Sequence, residues 1–465
     1  MTKKTAEKKP LVINPYVLLF FIIVACAIAA YLVEPGAYDR VVSNGRSYVV
    51  PGTYHAIERP AMSFFDIFRA VPNGLINSAS IVFLVLLVGG SIEVYNQTGA
   101  IPMGITRLVS LAGQKGGTLV IIILFWIFAI LGGFLGWIEA SIPFVPLVIP
   151  IILALGFDAI TAVGVVILGS MVGFAIGPTN MYTIGIAHQI AELPMFSGFG
   201  LRLIAYLVYC SIALIYLLFY ARRVKKDPSR SLVADIDVSD IKLDYTTDKD
   251  KKLSLSQILS LLLLCGTFVL VVYGMMKLKW NINDMSAAFL AAGIAAGVLG
   301  RMSSADIATA FVTGAKGSLG GAMIVGVARG VEWILTKGGL LDPLINSLSA
   351  YLSNLPVLSS AVGIFVIVVL LTGLVASGSG KAVALMPIII PLADLVGLSR
   401  QTATLAYQFG DGVSHMAYFT YGTLLIFLSY GKVPYTKWMQ FIWPLLLIFF
   451  VLAILFLYLA ISINY

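Results

Sequence analysis

Pro146-Leu-Val-Ile-Pro150-Ile-Ile-Leu-Ala-Leu-Gly156-Phe-Asp-Ala-Ile-Thr161-Ala162 and Pro387-Ile-Ile-Ile-Pro391-Leu-Ala-Asp-Leu-Val-Gly397-Leu-Ser-Arg-Gln-Thr402-Ala403 are one pattern written twice. The copies stand 241 residues apart and pair without a gap, and Gly169 and Gly410 extend the match. Each copy follows a Gly/Ser-rich break in an apolar run. The breaks read Gly132-Gly133-Phe134-Leu135-Gly136 and Ala376-Ser377-Gly378-Ser379-Gly380. Broken helices at matching places of two membrane halves mark where a solute can be held.

Composition agrees with a membrane reading. Of 465 residues, 59% are hydrophobic and 11% charged. Several apolar runs reach the ~20 residues that a bilayer crossing needs. A soluble single-domain enzyme is excluded on this ground. The net charge of +8 is not a nucleic-acid footprint, because its excess lies in short segments beside apolar runs, where Lys and Arg mark the cytoplasmic side. Cys26, Cys210 and Cys265 all fall in apolar runs without metal-ligand spacing, and read as small buried hydrophobes. Walker A, HExxH and dinucleotide fingerprints are absent, so ATP-driven transport on this chain is excluded. The basic N-terminus before Val17–Val33 reads as a retained first span, since the apolar stretch exceeds a secretory core.

The fold expected is an all-α polytopic membrane protein. Residues 1–222 form a first membrane repeat, 223–253 a cytoplasmic linker, 254–280 a linking transmembrane helix, and 281–465 a second, inverted repeat. The N-terminus falls inside and the C-terminus outside the cytoplasmic membrane. Thr98–Gly117 suits an inner-surface helix, and residues 35–75 a mixed external loop. Thr118–Leu155 is read as a re-entrant hairpin rather than two full crossings. Its interruption, with Gly136, Glu139 and Ser141, lacks a charged surface turn, and a polar tip is allowed at membrane depth when buried in protein. Ile160–Val172 is helical and breaks at Gly173–Asn180. Ser359–Val396 is the second hairpin, and Thr402–Ser414 the second broken helix.

Ionisable residues at membrane depth are functional hypotheses by default. Glu139 in the first tip could bind a cationic group or carry a proton, or else cap the following half-helix. Lys381 in the second tip could hold a carboxylate, or pair structurally with Glu139 or Asp411. Asp411, in Gly410-Asp411-Gly412, could receive a cation or cap the next half-helix. His415 is a proton-relay candidate or a packed histidine. Ser141, Thr179, Asn180, Ser377, Ser379 and Ser414 could bond substrate or sodium, or merely satisfy freed backbone groups. Arg329 and Glu332, spaced i, i+3, read as a structural pair.

Gly136-Trp-Ile-Glu139, Pro146-Leu-Val-Ile-Pro150, Gly156-Phe-Asp158, Ala328-Arg-Gly330, Ser377-Gly-Ser-Gly-Lys381-Ala-Val-Ala-Leu-Met-Pro387 and Gln408-Phe-Gly-Asp-Gly412 carry a resemblance across nearly the whole chain. The chain resembles the C4-dicarboxylate anaerobic carrier-like group of the ion transporter superfamily, which includes arginine–ornithine antiporter-like members. The resemblance implies two inverted repeats with re-entrant hairpins, a scaffold, a mobile transport domain, and a homodimer formed through the scaffold. It points to Glu139, Asn180, Lys381 and Asp411 as substrate residues. The chain departs from the arginine–ornithine-like pattern at Ala140, Met181, Ser414-His415 and Phe419-Thr420.

A doubly anionic solute beside Glu139 and Asp411 would meet like charge at low dielectric. An amino acid offers a carboxylate to Lys381 and a cationic end to the acids. The expected function is therefore secondary active transport of a small, basic amino acid. Sodium- or proton-coupled carriage of C4-dicarboxylates or other organic anions is the alternative. No organic cofactor is expected, and Na+ or H+ is the candidate coupling ion. A channel or a membrane enzyme of acyl or prenyl chemistry fits less well. The first needs no half-buried tips, and the second would want a convergent His/Asp cluster.

Overall fold

The protein, seen in a computed structural model, is described over residues 15–43, 46–239, 241, 253–350 and 355–465. The N-terminal lysines lie outside these residues. The first half runs α1 (Pro15–Leu32), two small ribbons of β1 (Gly36–Ala37), β2 (Arg40–Ser43), β3 (Arg46–Val49) and β4 (His55–Ala56), then α2 (Asp66–Asn77) and α3 (Ala79–Gln97). It continues through α4 (Ala100–Leu135), a 3-10 turn (Glu139–Phe144), α5 (Val145–Ala154) and α6 (Ala159–Ala175). A π turn (Met181–Gly185), α7 (Ile186–Ile190) and α8 (Phe199–Lys226) complete it. After α9 (Leu255–Lys277) come α10 (Ile282–Leu299), α11 (Ser304–Lys337), α12 (Leu341–Ala350) and α13 (Val357–Thr372). The chain ends in α14 (Gly378–Leu395), α15 (Arg400–Ser414), α16 (Gly422–Tyr430) and α17 (Tyr435–Ser462). Among the described residues, nine helices are long and apolar enough to cross a bilayer. The molecule is an all-α polytopic membrane protein.

The repeat seen in sequence is a repeat of helix boundaries. Ala100 and Leu341, Ala159 and Arg400, Met181 and Gly422 each open an element, and each pair is separated by the same 241 residues. The motif residues explain why. Gly156 and Gly397 take φ of +82° and +73°, the left-handed conformation that ends a helix. Two residues on, Asp158 and Ser399 cap α6 and α15 by accepting the N–H of Thr161 at 2.9 Å and of Thr402 at 3.1 Å. An ideal Cβ on Gly169 would lie 2.8 Å from the Phe125 carbonyl oxygen, and one on Gly410 2.6 Å from that of Phe365. Each broken helix thus lies flush against the first arm of its own hairpin. The repeated residues build the frame.

The helices sort into two groups. α1, α2, α3, α10 and α11 pack on one another, and α6, α8, α13, α14, α15 and α17 form the other group with the hairpin arms. Glycines set the approach within the first group. A Cβ on Gly74 of α2 would strike the Gly326 carbonyl and lie 2.5 Å from Gly330 N.

Four expectations change. Thr98–Gly117 is not a separate surface helix, because α4 runs unbroken from Ala100 to Leu135. Residues 35–75 are not all loop: α2 begins at Asp66 and runs through Pro72 and Gly74, where the missing Cβ lets it lie against α11. Much of the linker is docked rather than free. Ser231 Oγ and Tyr220 OH donate to Asp158 Oδ2 at 2.7 and 2.6 Å, and Lys437 pairs with Asp235 at 3.4 Å. Cys265 is exposed on α9, unlike the buried Cys26 and Cys210.

Candidate functional site

The first tip forms because Gly136 ends α4 at φ +69°. A Cβ there would sit 2.6 Å from Asn180 Oδ1, so only glycine permits this approach. The chain then turns through the 3-10 segment, and Glu139 opens it half-buried. Glu139 makes no cap; its Oε1 accepts the Tyr421 hydroxyl at 3.0 Å. Other polar groups here serve backbone that the breaks have freed. Ser141 Oγ donates to Trp137 O at 3.0 Å and Thr179 Oγ1 to Phe134 O at 3.0 Å. Asn180 Nδ2 donates to Phe174 O at 3.2 Å while its Oδ1 accepts the Tyr182 N–H at 3.0 Å.

The second tip lies between Thr372 and Gly378. Ser377 caps α14 by accepting the Gly380 N–H at 3.1 Å. Thr420 Oγ1 donates to Gly373 O at 2.8 Å, repeating what Thr179 does in the first half. The Ser379 hydroxyl is half-buried and makes no hydrogen bond to the described residues, and Gly380 beside it is exposed. Lys381 stands in the first turn of α14, where the helix dipole disfavours a cation. Its ammonium is held instead by Asp411 Oδ1 at 2.7 Å and Thr372 Oγ1 at 2.7 Å, with 2% and 0% of the Lys381 and Asp411 side chains exposed. Asp411 does not cap the next half-helix; it lies inside α15, and its other oxygen faces His415 Nε2 at 3.4 Å. Tyr407 OH donates to Gly378 O at 2.6 Å, fixing the tip to α15. Ser414 Oγ is turned back to Gly410 O at 2.5 Å.

These groups join across the molecule. The His415 ring lies 4.3 Å from that of Tyr421, centroid to centroid, and Tyr421 reaches Glu139. Gly422, next in the chain, rests on α11: a Cβ there would be 3.0 Å from Val325 Cα. One turn further along α11, Arg329 pairs with Glu332 at 2.6 Å. The belt holds two cations, Lys381 and Arg329, against three carboxylates, Asp411, Glu139 and Glu332. The carboxylates outnumber the lysine and arginine by one. Glu139 is the carboxylate with no ion-pair partner among the described residues.

Sequence reading found Glu139, Lys381, Asp411 and His415, which the fold brings together. It placed Arg329 in a local pair and did not single out Tyr421, Thr372 or Tyr407. The repeat carried a signal for Tyr421, which occupies the position of Asn180 241 residues earlier. Asp411, His415 and Lys381 likewise replace Ser170, Phe174 and Ala140. The chemistry sits where the two halves differ.

A cleft of about 320 Å³ lies between the two helix groups. Glu93 and Asn96 of α3, Gly317 of α11, Pro150 of α5 and Lys432 line it. Gly321 is its last α11 residue in the direction of the belt, and the Val325–Gly422 contact closes the way one turn beyond.

Two helical hairpins and two broken helices meeting at a buried charged belt define a membrane carrier for small solutes. The chain belongs to the C4-dicarboxylate anaerobic carrier family, DcuC, whose profile matches residues 14–462. It is 31% identical over 402 residues to an uncharacterized protein of Haemophilus influenzae, covering 85% of this chain and 78% of that one. It is 28% identical over 465 residues to the Escherichia coli protein named "Putative basic amino acid antiporter YfcC", covering 91% of each. Similar solved structures are the YdaH transporter of Alcanivorax borkumensis, at 16% identity, TM-score 0.43 and coverage of 97% and 99% of the two chains, and MtrF of Neisseria gonorrhoeae, at 13%, 0.43, 96% and 95%.

Proposed function

We propose that this carrier exchanges amino acids with a cationic side chain, of the arginine and ornithine type, across the cytoplasmic membrane. One observation carries the reading: the belt's carboxylates outnumber its lysine and arginine by one, and the carboxylate without an ion pair is the half-buried Glu139. A solute of net charge +1 neutralises it, and a charge left uncompensated at this depth is costly. The α-carboxylate and α-ammonium of an amino acid match the Lys381–Asp411 pair, which a zwitterion can open by replacing each partner with its own opposite charge. The side-chain cation then reaches Glu139 and Tyr421. Ser379 and the exposed Gly380 place an uncommitted hydroxyl and an accessible backbone at the second tip.

A dicarboxylate would bring two further negative charges beside three carboxylates. It needs protons or sodium ions to enter, and only the family's name favours it. Movement is by sliding of the hairpin group against the scaffold group. The scaffold group supplies the contact between two copies of the chain. Exchange of one monocation for another is electroneutral and needs no coupling ion.

Counterflow tests the proposal. Purified protein in liposomes loaded with ornithine should accumulate labelled arginine, and Glu139→Gln should abolish this while melting near the wild-type temperature. Sodium- or proton-dependent succinate uptake, with no amino-acid exchange, would sink the reading.

A further inference from the structure

The cleft between the two helix groups holds a carboxylate that the belt does not use. Glu93 lines it from α3, half-buried and in no ion pair among the described residues. Asn96 Nδ2 and Gln97 Nε2, one turn on in the same helix, donate to its two oxygens at 3.2 and 2.7 Å. Both donors are neutral, and a carboxylate offers about four acceptor positions, so the group is oriented without being neutralised. Gly314 of α11 fixes where it stands. An ideal Cβ there would lie 2.5 Å from Glu93 Cβ, so α3 and α11 touch at this point. Gly314 precedes Val325 by eleven residues, which puts Glu93 about 16 Å along α11 from the contact with Gly422. No single amino acid reaches both Glu93 and the belt. The cleft's volume of about 320 Å³ falls within the range of small-molecule sites, ~300–1,000 Å³.

We propose that this cleft is a second binding site, in which Glu93 receives the guanidinium or ammonium end of the solute before it reaches the belt. A planar guanidinium donates two parallel bonds to one carboxylate, and the acceptor positions that Asn96 and Gln97 leave open are the ones it would use. Cleft walls of low dielectric focus the field of a carboxylate and raise the local concentration of its counter-ion. Both helix groups supply lining: Glu93, Asn96 and Gly317 come from the scaffold, Pro146, Ser429 and Lys432 from the other side. Opposite charges on the two walls suit a solute that carries both signs, as an amino acid does. The site is whole only while the groups stand in this arrangement, and sliding of the hairpin group would take it apart. The choice of solute rests on the cationic-substrate reading; the unpaired carboxylate in the cleft does not.

Alkylation reads the site without transport. Thr313→Cys, beside Gly314 on the cleft wall, is placed in protein whose Cys26, Cys210 and Cys265 are replaced by serine. It is labelled with neutral N-ethylmaleimide in detergent, and each variant is compared with its own rate in the absence of added cation. Arginine and methylguanidinium should each slow labelling severalfold. Glu139→Gln, remote from the cleft, should leave the half-protecting concentration of methylguanidinium within about twofold. Glu93→Gln should raise that concentration by about tenfold or more, the loss of one charge-assisted contact. Glu93→Asp keeps the charge with a shorter reach and should protect at an intermediate concentration. A shift with Glu93→Gln no larger than that with Glu139→Gln overturns the proposal, as does labelling that neither cation slows. Methylguanidinium has no carboxylate and is not an amino acid. If the carrier exchanges no basic amino acid, the substrate reading fails, and methylguanidinium protection still judges the cleft.

Discussion

Lys381 shows how much the role of a residue depends on its partners. Read alone, a lysine in a membrane tip invites a substrate carboxylate. In the fold its ammonium is already matched by Asp411 and Thr372, so any carboxylate brought to it would have to compete with an internal anion. Removing one partner of such a pair strands the other and costs about 3–5 kcal/mol, whereas removing both is far milder. Lys381→Gln and Asp411→Asn should therefore each lower the melting temperature of the detergent-solubilised protein by several degrees. Combined, they should recover most of that loss and still fail to transport. Additive losses would mean that the two charges do not compensate each other. The charged residues of the site were legible because a charge in an apolar run has few bland explanations. The Arg329–Glu332 pair was legible too, from its i, i+3 spacing, and the two groups meet at 2.6 Å. Ser141, Thr179, Asn180 and Ser414 were open in sequence between ligand and backbone partner, and each makes a backbone hydrogen bond in the structure. Polar residues at a helix break face two demands, and spacing does not tell which is met.

At the level of elements, glycine position decides what the chain tolerates. Gly397 has φ +73° and open space around its Cβ position, so Gly397→Ala meets only the left-handed backbone penalty of about 1–2 kcal/mol. Gly412 is different. Its Cβ would fall on the Cα of Ala175, where α6 and α15 cross beside the site. Gly412→Ala must push two buried helices apart, a change in the overpacking range of about 1–3 kcal/mol or more, and it displaces Asp411 with it. The expected result is a modest loss of melting temperature with transport retained for Gly397→Ala, and lost transport for Gly412→Ala even where the protein still folds. Equal effects on transport would contradict this placement of the crossing. Hairpins and broken helices were readable because Pro, Gly and cap residues act locally. The continuity of α4 and the existence of α2 were not, because contacts with other helices overrule local turn signals there. Gly74 is the clearest case, because only its close contact with Gly326 and Gly330 of α11 explains the glycine inside α2.

For the whole molecule, the ends can be told apart. The cleft is lined by Lys432, the docked linker pairs with Lys437, and α8 runs out through Arg222, Arg223, Lys225 and Lys226 toward that linker. Ile241 of the linker also lines the cleft. Basic residues, linker and cleft therefore share one face, and positive residues beside spans favour the cytoplasm. The β ribbons gather at the other face, where Arg40 pairs with Asp342 at 2.8 Å beside α12. We propose that this face is the cytoplasmic one, so that the cleft opens toward the cytoplasm as far as Gly321 and ends one turn short of the Val325–Gly422 contact. A cysteine at Thr313, on the cleft wall, tests this in a background with Cys26, Cys210 and Cys265 replaced by serine. A membrane-impermeant maleimide should label Thr313→Cys in inside-out vesicles and not in right-side-out vesicles. Excess arginine should change the labelling rate as the loaded carrier redistributes between states. Labelling from the outer face alone would reverse the orientation, and with it the side from which the first hairpin enters. It would leave the charged belt, which lies between the two faces, where it is.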